Sequence, residues 1–190
     1  MSSAKELQEQ GVRLFQQHEY EAAAELFRQA HEAYQADDQP DMAAEMQVNI
    51  GLVKRALGEY DQAIMLMQEA LQFFSEMGDR KREAQVLGNL GGVYAAQGDT
   101  EQAISCYRQA ADTFHELGEE TLYGQTLIAL GDVQVRSGKV LNGAALYEVG
   151  LDSVNKLSGP QKILKGLLGI RRRLTGSAVP PPAADEDSED

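Results

Sequence analysis

Carboxamide side chains recur in this chain at a regular interval. Asn49 and Asn89 stand 40 residues apart, and so do Gln85 and Gln125. A primary amide both donates and accepts hydrogen bonds. Amides held one above another can therefore satisfy the main chain of an extended peptide, whatever its sequence. Residues suited to covalent or metal chemistry lack the partners they would need. His18, His31 and His115 are each followed by Glu, yet none has a second His four residues on, so the zinc-protease pattern is missing. Gly138-Lys139 looks like the end of a phosphate-binding loop, but Val133 holds the first glycine position and Val140 the Ser or Thr position. Gly88, Gly91 and Gly92 follow no strand and read as packing glycines. Cys106 reads as a small core residue, and no nucleophile has a base beside it. The sequence thus predicts no enzyme activity, no cofactor and no metal.

The elements that hold the amides follow from composition and period. The 190 residues are 43% hydrophobic but only 6% aromatic with no Trp, so a core must rest on Ala, Leu, Ile, Val and Met. Pro40 is the one proline before position 160, which favours an all-helical body. Gly11, Gly51, Gly91 and Gly131 mark a 40-residue repeat. Twelve residues after each come Ala23, Ala63, Ala103 and Gly143; sixteen after come Phe27, Met67, Tyr107 and Tyr147; nineteen after come Ala30, Ala70, Ala110 and Gly150. Small residues at three places let two antiparallel helices approach, and the large one between them fills the gap. The glycines at 143 and 150 replace alanines, which predicts a weaker fourth repeat. Gly58, Gly98 and Gly138 suit left-handed helix ends, whereas His18 in that place predicts a first turn that is looser or built differently. Helices are expected near 3–16, 20–36, 41–57, 60–77, 80–97, 100–117, 120–137 and 140–157.

The stretches Asn49-Ile50-Gly51 … Leu57-Gly58-Glu59-Tyr60-Asp61-Gln62-Ala63-Ile64 and Asn89-Leu90-Gly91 … Gly98-Asp99-Thr100-Glu101-Gln102-Ala103-Ile104 resemble the tetratricopeptide-repeat signature. The likeness covers residues 3–157 and is closest in the second and third repeats. With a period of 40, it is similar to the longer-helix variety of Pins/LGN-type adaptors, kinesin light chains and bacterial peptide-sensing regulators. The resemblance implies an all-α solenoid of four repeats, coiled as a right-handed superhelix, whose first helices line a concave groove for peptides or proteins. It places Lys5, Gln8, Glu9, Val12, Phe15 and Gln16 of the first repeat in that groove. Glu45, Val48, Asn49, Leu52, Arg55 and Ala56 follow from the second, and Gln85, Gly88, Asn89, Gly92, Ala95 and Ala96 from the third. The fourth adds Gln125, Ile128, Ala129, Asp132, Val135 and Arg136. Of these, Asn49, Asn89, Gln85, Gln125, Leu52, Gly88, Gly92, Asp132 and Arg136 are the candidate site, with Gly88 and Gly92 leaving a shallow floor for a partner side chain. The carboxylate clamp of tetratricopeptide co-chaperones needs Lys, Asn, Asn, Lys and Arg. The matching places hold Gln8, Val12, Asn49, Gln85 and Asn89, so that subclass is set aside.

Charge completes the reading. Residues 1–158 carry 12 Lys or Arg against 25 Asp or Glu, a balance that repels phosphate backbones and points away from nucleic acid. The lone Cys106, the polar start Met1–Gln10 and the lack of a long apolar run predict a cytoplasmic chain with no membrane partner. Four repeats are expected at about 3–39, 40–79, 80–119 and 120–158. A basic amphipathic helix over 159–175 should cap them by burying Ile163, Leu164, Leu167, Leu168, Ile170 and Leu174 near Leu141, Leu146 and Leu151, the alternative being that it docks on an anionic membrane or partner. The acidic segment 176–190 reads as disordered. The function expected is a non-catalytic adaptor or scaffold for a protein or peptide. A self-assembling scaffold and a peptide-responsive sensor are the alternatives, and nothing in the sequence indicates an oligomer.

Overall fold

The computed structural model describes residues 3–154 and 158–175, with the side chains of the last helix as far as Gly169. The segment 176–190 and the side chains of Ile170 and Leu174 lie outside the described residues. Among those described the fold is all-α. The helices are α1 (Ala4–Gln16), α2 (Tyr20–Ala36), α3 (Pro40–Ala56), α4 (Tyr60–Glu76), α5 (Arg80–Gln97), α6 (Thr100–Glu116), α7 (Glu120–Arg136), α8 (Val140–Ser153) and α9 (Gly159–Thr175). The expected helix ends agree to within a residue or so except for α8, which stops at Ser153 where Val154 turns to extended backbone.

Two compact units divide the chain, Met1–Gln102 and Ala103–Asp190. In the first, each helix from α1 to α5 packs against the next, and α3 also touches α5. Its core repeats one pattern. Ala23, Phe27, Ala30 and Tyr34 of α2 are buried, as are Ala63, Met67, Ala70 and Phe74 of α4, which is the inward stripe of a helix of 3.6-residue period. The glycines of the preceding helices make room for the large members. A Cβ on Gly11 would lie 2.8 Å from Phe27 Cε1, and one on Gly51 would lie 3.0 Å from Met67 Cε.

Every helix from α1 to α7 ends the same way. His18, Asp38, Gly58, Gly78, Gly98, Gly118 and Gly138 all have positive φ, between 54° and 94°. In each case the next residue donates its backbone N–H to the carbonyl five positions back, from Glu19 to Leu14 through Lys139 to Gln134, at 2.8–2.9 Å. This closure satisfies carbonyls that a helix end would otherwise leave orphaned. The turn at His18 is therefore not looser than its glycine counterparts, as its residue type suggested. His and Asp tolerate the left-handed region better than most side chains, and the His18 ring also meets the Tyr20 hydroxyl through Nδ1 at 2.7 Å.

In the second unit α7 and α8 pack so tightly that their backbones meet. A Cβ on Gly124 would stand 2.6 Å from the Gly150 carbonyl, and one on Gly150 would stand 2.6 Å from that of Gly124. A Cβ on Gly143 would meet Val135 Cγ2 at 2.5 Å and the Gly131 carbonyl at 2.8 Å. The glycines that looked like weak points are thus the reason the helices can approach so closely. α9 lies against α8, where Lys165 Nζ ion-pairs with Asp152 at 2.8 Å and donates to the Leu151 carbonyl at 3.2 Å. Leu164 and Leu168 are half-buried, but Ile163 and Leu167 are 68% and 60% exposed, and Leu141 of α8 is 75% exposed. The apolar stripe expected to be covered as a whole is covered only in part.

Two stability measurements check these readings. An ordinary mid-helix Gly→Ala change stabilises by up to about 1 kcal/mol, but Gly143→Ala should destabilise by about 1–3 kcal/mol in denaturant melts because the added methyl overpacks the contact. Asp38→Gly should raise stability by about 1 kcal/mol, since the left-handed conformation costs a side chain roughly that much.

Candidate functional site

Six of the sequence-predicted site residues fall on the two first helices of the first unit that touch each other. Asn49 and Leu52 of α3 and Gly88, Asn89 and Gly92 of α5 are half-buried, and Gln85 is exposed. The Asn49 amide has only a long contact, Nδ2 to Met46 Sδ at 4.0 Å. Among the described residues the side chains of Asn89 and Gln85 have no hydrogen-bond partner. Gly88 differs from the packing glycines, because a Cβ there would meet nothing within 4 Å. It leaves open space where an alanine would make a better helix.

The other three, Gln125, Asp132 and Arg136, lie on α7 in the second unit, and all are exposed. Asp132 is already engaged, accepting a hydrogen bond from the Tyr147 hydroxyl. Burial, then that bond, push the Tyr147 phenol up to about 12, while Arg136 pulls the other way. The structure thus gathers the α3 and α5 residues and describes the α7 residues in a separate unit.

Two features were missed in the sequence. The first is an open depression of about 490 Å³ lined by Lys5, Gln8, Glu9, Val12 and Arg13 of α1, Tyr34 of α2 and Met42 of α3. The resemblance placed four of the α1 residues here, but Tyr34 and Met42 were not singled out. A signal was available, since Tyr34 stands where Phe74 and Phe114 stand in later repeats, and a hydroxyl at a core position needs a partner. It donates to Gln8 Oε1 at 2.7 Å, and burial, helped by Glu45 and Glu9, raises its pKa.

The second is a charge cluster linking α3 to α5. Arg82 reaches Asp41 Oδ2 at 3.0 Å, Glu45 Oε1 at 3.2 Å and Asp79 Oδ2 at 3.4 Å, and its guanidinium lies 5.5 Å from the centre of the Phe74 ring. Hydrogen bonding from Arg82 holds the Asp41 carboxyl below its ordinary range. Burial pushes Glu45 up against the pull of Arg82. Burial alone would lower Arg82, but Asp41, Glu45 and Asp79 outweigh it and hold it above its ordinary value. Arg82 is three positions after the Asp79 cap and carries no motif, so nothing in the sequence distinguishes it from other helical arginines. Arg82→Ala should cost about 1–3 kcal/mol at neutral pH, as charged hydrogen bonds of intermediate exposure do. Because Asp41 is depressed, its bond to Arg82 contributes fully above the ordinary aspartate range near 4 and fades as pH falls through the lower folded value. Melts of wild type and variant should therefore converge in acid.

Comparison with known proteins bears on what this geometry belongs to. No curated protein sequence matches the chain. Among solved structures, the crystal structure of BtubC (BKLC) from P. vanneervenii is similar, with a TM-score of 0.64 and 19% sequence identity. The similarity covers 87% of this chain and 64% of that one, so this chain spans less than two thirds of that structure, and at this identity the likeness is one of fold. The family model described as tetratricopeptide repeat matches residues 42–116 and 82–153, overlapping spans that include most of α3 through α8. Repeated helix pairs, closed by one turn geometry and matched over that length, place this chain in the tetratricopeptide-repeat family.

Proposed function

We propose that the chain is a non-catalytic adaptor whose protein or peptide partner lies across the first helices of its repeats. Tetratricopeptide repeats commonly bind proteins or peptides, which sets the general class. The reading takes residues 1–158 as four repeats with α9 as their terminal element. The observation that carries it is the combination on α3 and α5. Half-buried Asn49 and Asn89 retain hydrogen-bonding capacity beside Gly88, a glycine that no packing contact requires. An amide partly withdrawn from water without a protein partner costs free energy, and a partner's main chain would satisfy it. Open space at Gly88 would admit one of that partner's side chains. The depression between α1, Tyr34 and Met42 adds an apolar floor with charged edges, suited to a second side chain.

Peptides selected from a random display library on the intact chain, with affinities measured by fluorescence polarisation, test the reading. Asn49→Ala combined with Asn89→Ala should weaken binding at least tenfold, as the loss of hydrogen bonds worth about 1–3 kcal/mol would. Gly88→Leu should also block binding, and Gly88→Ala should leave the melting temperature unchanged or higher. Retained affinity in both the amide and leucine variants, with helicity intact, would move the site off these helices.

A further inference from the structure

Among the described residues no helix is long and apolar enough to cross a membrane. A helix can nevertheless lie in the interface when one face is apolar and its charges are cationic. α9 has these properties. Residues 159–175 contain Lys162, Lys165, Arg171, Arg172 and Arg173 and no acid, in a chain otherwise strongly acidic. Leu164 and Leu168 are half-buried and Lys165 ties the helix to α8, so that side is taken. Ile163 and Leu167, one turn apart, stand 68% and 60% exposed, and the sequence continues the same spacing with Ile170 and Leu174. Isolated apolar side chains on a surface are ordinary, but a repeated pair on an all-cationic helix is a directed feature.

We infer that α9 is an interfacial helix that docks this chain onto anionic lipid. Pairing of two copies through the same stripe would bring five cations of one helix against five of the other, which charge repulsion opposes. An anionic bilayer meets both halves of the helix, taking Ile163 and Leu167 into its acyl boundary and Lys162 into its headgroups. The reading is independent of the groove and stands or falls separately from it.

The test uses the intact chain and co-sedimentation with vesicles of phosphatidylcholine, with and without phosphatidylglycerol. Binding is expected to the anionic vesicles only, and to weaken as salt approaches about 0.5 M and screens the attraction. Ile163→Asp with Leu167→Asp should lower partitioning at least tenfold with circular dichroism and melting unchanged, because both side chains are already in solvent. Lys162→Glu should lower it by itself. The inference is overturned if the wild type ignores anionic vesicles, if it binds neutral vesicles equally, or if the double variant binds as wild type does. Binding to polyglutamate without binding to vesicles would assign the helix to an acidic protein instead. Self-association abolished by the double variant, again without vesicle binding, would assign it to a second copy.

Discussion

From position 18 to position 138, every twentieth residue takes the left-handed backbone conformation, and each is followed by the same main-chain hydrogen bond five residues back. That closure sets the length of each helix, the direction in which the chain leaves it and the face the next helix presents. With the turns alike, a residue's place within its 40-residue repeat largely decides whether it is core or surface, as Tyr34, Phe74 and Phe114 are all buried. Asn49 and Asn89 hold equivalent positions on α3 and α5 because the turns between them are alike. Glycine makes the conformation cheap at five of the seven positions. At His18 and Asp38 the turn forms regardless, which shows that packing of the flanking helices outweighs the local penalty.

Within that frame the same glycine places do different work. Gly11 and Gly51 accommodate a bulky side chain from the partner helix, Phe27 and Met67. In α7 and α8 the glycines come from both helices, and main-chain carbonyls take up space beside side chains such as Val135. Counting glycines as a loss of helix propensity misreads this pair, since propensity is a weak prior that tertiary contact overrides. Gly88 belongs to neither class. Glycine can therefore be a requirement of packing, a requirement of backbone sign or a deliberate vacancy, and only its neighbours distinguish the three.

Much of the fold was legible from the sequence because its signals are periodic. The 40-residue recurrence of Gly11, Gly51, Gly91 and Gly131, with the alanines behind them, located the α1–α7 boundaries to within a residue or so. What was less legible depends on contacts between residues far apart in sequence. Arg82 and Asp41 are 41 positions apart and share no motif. Tyr34 occupies the place of Phe74 and Phe114 in the later repeats, but its bond to Gln8 could not be read from the sequence. The apolar stripe of α9 was read from spacing alone, which cannot say that Leu164 and Leu168 are half-buried while Ile163 and Leu167 are exposed. Of the candidate site, the α3 and α5 residues were placed on touching helices, whereas Gln125, Asp132 and Arg136 belong to the second compact unit.

The uniform turns also bear on how such a chain changes length. A deletion or duplication of 40 residues, cut at any two equivalent points, rejoins a helix to a sequence that already expects it in register and ends it with the same hydrogen bond. Splices of other lengths would rotate every later side chain off its face. Lineages carrying this architecture are therefore free to gain or lose whole modules in single genetic events, while insertions within a module are confined to the few residues around the left-handed positions.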